Sequence, residues 1–196
     1  MVRTLVCLLA LMAPALTAPL TRGERDRAMS ELHATRRLFL DSIAGLSEQQ
    51  WKFKAGPDRW SIAEVAEHIT LSEDALFSLV TKKIATMPAD PAAKSEISDE
   101  DVLKRIADRS RPAQAPEFLR PTNEWPTREA LAEHFKGSRD RIIGYVETTE
   151  DDLRSRTVKH PVGLIDGYQW VLLISAHTQR HVDQIKEVKQ QAGYPK

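Results

Sequence analysis
The chain has a single cysteine, Cys7, inside the apolar stretch Leu5–Leu16 near its start. A disulfide framework is therefore excluded. If that stretch is removed, so is any thiolate nucleophile or thiolate metal ligand. Net charge is also lacking, since 28 basic residues balance 28 acidic ones. No nucleic-acid partner is expected, because such proteins usually carry a basic excess or stripe. Strand-like alternation and internal repeats are absent, which points to an all-α protein. Leu5–Leu16 is too short for the roughly 20 residues of a membrane span.

What that stretch does resemble is a secretory leader. Arg3 supplies a positive start, and Ala13, Ala15 and Ala18 are small residues suited to a cut after Ala15 or Ala18. We assign residues 1–20 to a signal peptide and residues 21–196 to one folded domain. Export to the bacterial periplasm or beyond is the expectation, with no stable membrane span after cleavage. Loss of Arg3 leaves the mature chain one formal charge negative and without cysteine. Packing then has to hold the domain, and 41 % hydrophobic against 29 % charged residues is ordinary for a soluble core.

The apolar spacing predicts four long helices. The first covers Arg22–Gly45, with Met29, Leu32, Phe39 and Ile43 inward. The second runs from Ser61 to about Thr86. It opens on a capping box, Ser61 with Glu64, and buries Ile62, Val65, Ile69, Leu76 and Leu79. The third is capped by Thr127 and reaches about Glu147, with Leu131, Phe135, Ser138, Ile142 and Tyr145 in step. The fourth spans Asp166–Gln191 and starts on a second capping box, Asp166 with Gln169. Between the second and third helices lies Met87–Pro126, which holds six of the eleven prolines and a short amphipathic helix at Ser98–Arg109. A connection this long suits two parallel helices, since the chain must travel back along the bundle.

The fourth helix carries the chemistry. Its inward stripe reads Trp170, Ile174, His177, His181, Gln184, Val188. Two imidazoles one turn apart can face one point. Buried without partners, such a group costs roughly 1–3 kcal/mol, and a metal ion would satisfy both rings. His68 lies beside Ile69 in the second helix, where alone it reads as a packed core histidine. His33 and His134 read as boundary residues, and His160 as a solvent-facing loop residue. Thr178-Gln179-Arg180 separates the histidine pair, so the Glu of the H-E-x-x-H protease motif is missing.

Trp60-Ser61, Glu64-Val65, His68 and the closing His177-x-x-x-His181-x-x-Gln184 together resemble the DinB-like superfamily of metal-binding bundles. The likeness covers the whole mature chain. It implies an up-down-down-up four-helix bundle in which His68, His177 and His181 bind a divalent transition metal, with zinc or nickel the leading expectation. Helix lengths agree. At ~1.5 Å per residue, His68 lies about 9 Å from its helix start and His181 about 15 Å from the other helix's end. In antiparallel helices the three then meet at similar depth. Glu64, Ser72 and Gln184 are candidates to hold the outer ring nitrogens.

Three neutral imidazoles leave coordination positions open, which suits a reactive site. The expectation is an exported metal-dependent hydrolase, or a thiol or group transferase, acting on a small molecule. No general base is identifiable. The alternative is a non-catalytic module that binds a metal or small ligand. The chain is compatible with a homodimer.

Overall fold
The computed structural model describes residues 18–110 and 114–196. Leu5–Leu16, Cys7 and Pro112 lie outside these. Leu20, set aside above with the leader, is buried against the core at 5 % exposure.

Four long helices form a bundle: α1 (Arg22–Ile43), α3 (Ile62–Leu79), α5 (Arg128–Thr148) and α6 (Gly167–Lys189). Each begins on a side chain that satisfies an orphan amide. Thr21 and Glu24, Ser61 and Glu64, and Asp166 and Gln169 form capping boxes, and Thr127 caps α5 alone. Two short helices stand in the connections: α2 (Glu48–Lys52) and α4 (Asp99–Ala107). The second long helix continues past Leu79 as a π turn, Val80–Ile84.

Cross-contacts fix the directions. Residue 67 meets 122–124 and Asp74 meets His134 and Ser138, so α3 and α5 run parallel. Arg25 reaches Val146 while Arg36 pairs with Asp140, so α1 and α5 oppose. Tyr168 bonds Glu24 and Lys189 bonds Ser42, so α1 and α6 agree. The order is up, down, down, up, as the proline-rich crossover required. Its short helix, α4, lies along α6.

The all-α class holds, with one small two-stranded addition. The return loop contains a hairpin, β1 (Thr157–His160) with β2 (Gly163–Asp166), antiparallel with Val158 opposite Ile165. Glu96 borders β2: its amide donates to the Leu164 carbonyl and its carboxylate accepts the Leu164 N–H. The hairpin leads straight into α6 at Gly167. A Cβ there would lie 2.9 Å from the Leu153 carbonyl, so only glycine lets the helix start this close to the loop.

The core has two apolar halves. One holds Leu32, Ile84, Val102, Ile142, Tyr168 and Leu172, the other Phe39, Ile62, Ile69, Phe135, Val182 and Ile185. Between them all four helices contribute polar residues: Thr35, Glu73, Arg139 and Thr178, all buried. The Arg139 and Glu73 side chains are 0 % and 1 % exposed and pair through two bonds, at 2.5 and 2.9 Å. Arg139 also donates to the Leu32 carbonyl, Thr35 and Thr178, which uses all five of its N–H groups.

Candidate metal centre
The registry set by the caps and by Gly167 brings His177 and His181 of α6 against His68 of α3. Ring centroids lie 5.1 Å apart for His68 and His177, and 4.5 Å apart for each of the other two pairs. One nitrogen from each ring falls within 4.8 Å of the others. His68 is buried at 3 % exposure, His181 sits at 9 %, and His177 keeps some accessible surface although it is deeply surrounded.

Two of the three rings have an assigned tautomer. His68 Nδ1 lies 2.8 Å from the Leu119 carbonyl, which can only accept, so the proton is on Nδ1 and the Nε2 lone pair is free. His181 Nδ1 lies 2.7 Å from Gln184 Oε1, with the same consequence. Arg109 donates to that amide oxygen at 3.4 Å and is itself clamped by two bonds of 2.7 Å to Glu187. Both outer partners therefore involve the crossover. Trp60 packs on His68 at 5.1 Å.

Burial keeps the rings neutral. It lowers the His68 pKa below the usual imidazole value. It pushes His181 down to about 3, helped by His68 and by the Arg109 and Arg180 cations. His177 falls well below the ordinary value, through burial first and then through His181, His68, Arg180 and His160. Neutral imidazole is the form that binds a metal.

This donor set fits a divalent cation. Neutral imidazole nitrogens are the usual zinc donors, and inward lone pairs held by outer hydrogen bonds are what such ions use. The remaining histidines stand apart from the cluster. His33 is exposed. His134 bonds Asp74 at 2.6 Å and stacks on Trp125 at 4.7 Å. His160, expected in solvent, is half-buried with its ring edge-on to Trp170 at 5.1 Å, near enough for its charge to act on His177.

Of the outer-contact candidates, Gln184 holds His181 as expected. Glu64 instead caps α3 and pairs with Lys54 at 2.8 Å. Ser72 is buried with its hydroxyl unpartnered among the described residues. The Leu119 carbonyl, the Arg109 link and the Glu73–Arg139 pair were not foreseen. A backbone carbonyl carries no signal in the residue type. Arg139 does, since it falls one helical turn after Phe135 on the inward face.

Comparison with known proteins places this geometry. A curated relative, the uncharacterized protein YuaE of Bacillus subtilis (strain 168), is 24 % identical over 163 residues, covering 83 % of this chain and 97 % of its own. Among solved structures, YfiT from Bacillus subtilis, described as a probable metal-dependent hydrolase with an unusual four-helix bundle topology, superposes with a TM-score of 0.57 at 12 % identity. That match covers 93 % of this chain and 94 % of YfiT. At that identity the likeness shows the shared fold. The DinB superfamily model matches residues 31–185, a span that contains all three clustered histidines and every long helix in whole or in part. An up-down-down-up bundle with this match across most of its length belongs to the DinB superfamily.

Proposed function
We propose that the protein is an exported metal-dependent hydrolase of a small molecule, with His68, His177 and His181 as the metal ligands. The observation that carries this reading is the convergence of three neutral imidazoles, two of them locked with Nε2 free. When bound, a divalent ion in such a site lowers the pKa of a coordinated water towards ~7 and polarises a substrate oxygen.

The chain's own residues prepare the site. The Leu119 carbonyl and Gln184 fix ring orientation and make the imidazoles better donors. Burial, with Trp60 against His68, limits water around the ligands and strengthens electrostatic interactions there. Among the described residues no carboxylate joins the three rings. That observation favours a second reading, a module that binds a metal or small ligand without turnover. A thiol-transfer version gains no support from the geometry. Zinc and nickel are the metals proposed, since imidazole suits both.

The test is a screen of ester, amide and thiol-conjugation substrates with the purified mature protein, before and after chelation and after metal is returned. Hydrolysis that disappears with chelator and returns with zinc or nickel is the expected result. Rates indifferent to chelator across the screen would leave the binding module. Export is tested separately by N-terminal sequencing of protein from the periplasm or medium, where a start after Ala15 or Ala18 is expected and a start at Met1 would refute it. No helix among the described residues is long and apolar enough to cross a membrane.

A further inference from the structure
We propose that Glu67 is a positioning residue for His68, acting through the crossover backbone; this rests on His68 being a metal ligand. Glu67 adjoins His68 in α3 and is 5 % exposed, unusual for a carboxylate that has no cationic partner among the described residues. Its partners are three successive backbone amides. One oxygen accepts the N–H groups of Thr122 at 2.8 Å and Glu124 at 2.9 Å, and the other accepts Asn123 at 3.0 Å. Convergence of neighbouring amides on one anion requires an unusual turn, and Asn123 supplies it with φ of 64°. Asparagine tolerates this left-handed conformation better than most residues.

The same loop holds His68 by its other end. Leu119, three residues before Thr122, offers the carbonyl that accepts His68 Nδ1–H. Residues 67 and 68 thus grip one loop at two points, Glu67 through amides and His68 through a carbonyl. Apart from one 3-10 turn, Glu117–Leu119, this part of the crossover has no regular structure of its own to keep the Leu119 carbonyl in place. Glu67 supplies that restraint. With the loop anchored, the His68 proton stays on Nδ1 and its Nε2 stays turned towards His177 and His181. With the loop released, the ring loses its acceptor and becomes free to rotate or change tautomer, and its affinity for a cation falls.

Thermodynamic reciprocity follows. If anchoring the loop favours metal binding, metal binding must favour the anchored loop by the same factor. The experiment titrates cobalt(II) into the full protein and Glu67→Gln by visible absorption, and measures amide hydrogen exchange at Thr122, Asn123 and Glu124 with and without cobalt. Glutamine is the discriminating change, because its NH2 must face one of the converging amides donor to donor. The expected result is one cobalt in each protein, bound about tenfold more weakly by Glu67→Gln, the scale seen for outer-shell partners of metal ligands. Exchange at the three amides of the wild type should slow about tenfold with cobalt. A purely structural anchor would lower thermal stability and leave the cobalt affinity of the folded variant unchanged; equal affinity overturns the proposal while the three-histidine site stands. If the variant does not fold, exchange in the wild type decides, and amides indifferent to saturating cobalt overturn it. A wild type that binds no cobalt removes the ligand assignment as well.

Discussion
At mid-height in the bundle Arg139 spends all five of its N–H groups on Glu73, Thr35, Thr178 and the Leu32 carbonyl. Next to it in the fold, beginning at the residue before Thr178, three imidazoles bring one nitrogen each within 4.8 Å of one another. The first joins all four long helices and the second only α3 and α6, and both interrupt the apolar core. The first is closed: each donor meets an acceptor within the protein, so its job is to hold α1, α3, α5 and α6 in one registry. The second is finished only on its outer side, by Leu119 and Gln184. A polar cluster that exists for the fold saturates itself, because an unpaired buried group is costly. One that leaves lone pairs converging is chemically suited to hold a cation, which is the reading proposed for these three rings.

The largest effect that would sharpen this contrast comes from the closed cluster. Arg139→Ala strands Glu73 at 1 % exposure and should cost about 3–5 kcal/mol in chemical denaturation. Glu73→Leu combined with Arg139→Met removes both charges and should recover most of that loss. If Arg139→Ala were harmless, the two clusters would not differ as argued.

Acid should act on the open cluster. The folded-state pKa values of His68, His177 and His181 lie below the ordinary one, with His181 at about 3. Unfolded histidine titrates near ~6.5. Between those values the unfolded chain binds more protons, so metal-free protein should lose stability as pH falls from about 6.5 towards 3. Denaturation midpoints across that window test this. The slope should be shallower in His177→Ala with His181→Ala, and an equal slope would place the acid sensitivity elsewhere.

The smallest effect is at the outer partner. Gln184→Leu removes the acceptor of His181 Nδ1–H and should weaken zinc or nickel about tenfold by competition titration, with the bundle intact. An unchanged affinity would mean that the outer bonds do not tune the ligands.

The bundle was legible because its signals are local. Ser61 with Glu64 and Asp166 with Gln169 mark helix starts, and apolar steps of four and three mark the faces. Pro88, Pro91, Pro112, Pro116, Pro121 and Pro126 marked the long crossover that makes α3 and α5 parallel. The histidines were legible because an imidazole on an apolar stripe stands out. What escaped notice depends on distant or anonymous partners. Arg139 falls on the inward face, but its partner Glu73 is 66 positions away, so the pairing has no local signal. Leu119 acts through its carbonyl, so its side chain is uninformative. The hairpin strands have four residues each, too few for alternation to show. By docking at the start of α6 the hairpin also brought His160 onto Trp170 instead of leaving it in solvent.

The most direct test is the metal content of the purified protein by elemental analysis, wild type against His177→Ala with His181→Ala. About one divalent ion per chain in the wild type and none in the variant is the predicted result. An ion retained by the variant, or a wild type that binds none when zinc or nickel is supplied, would contradict the three-imidazole centre.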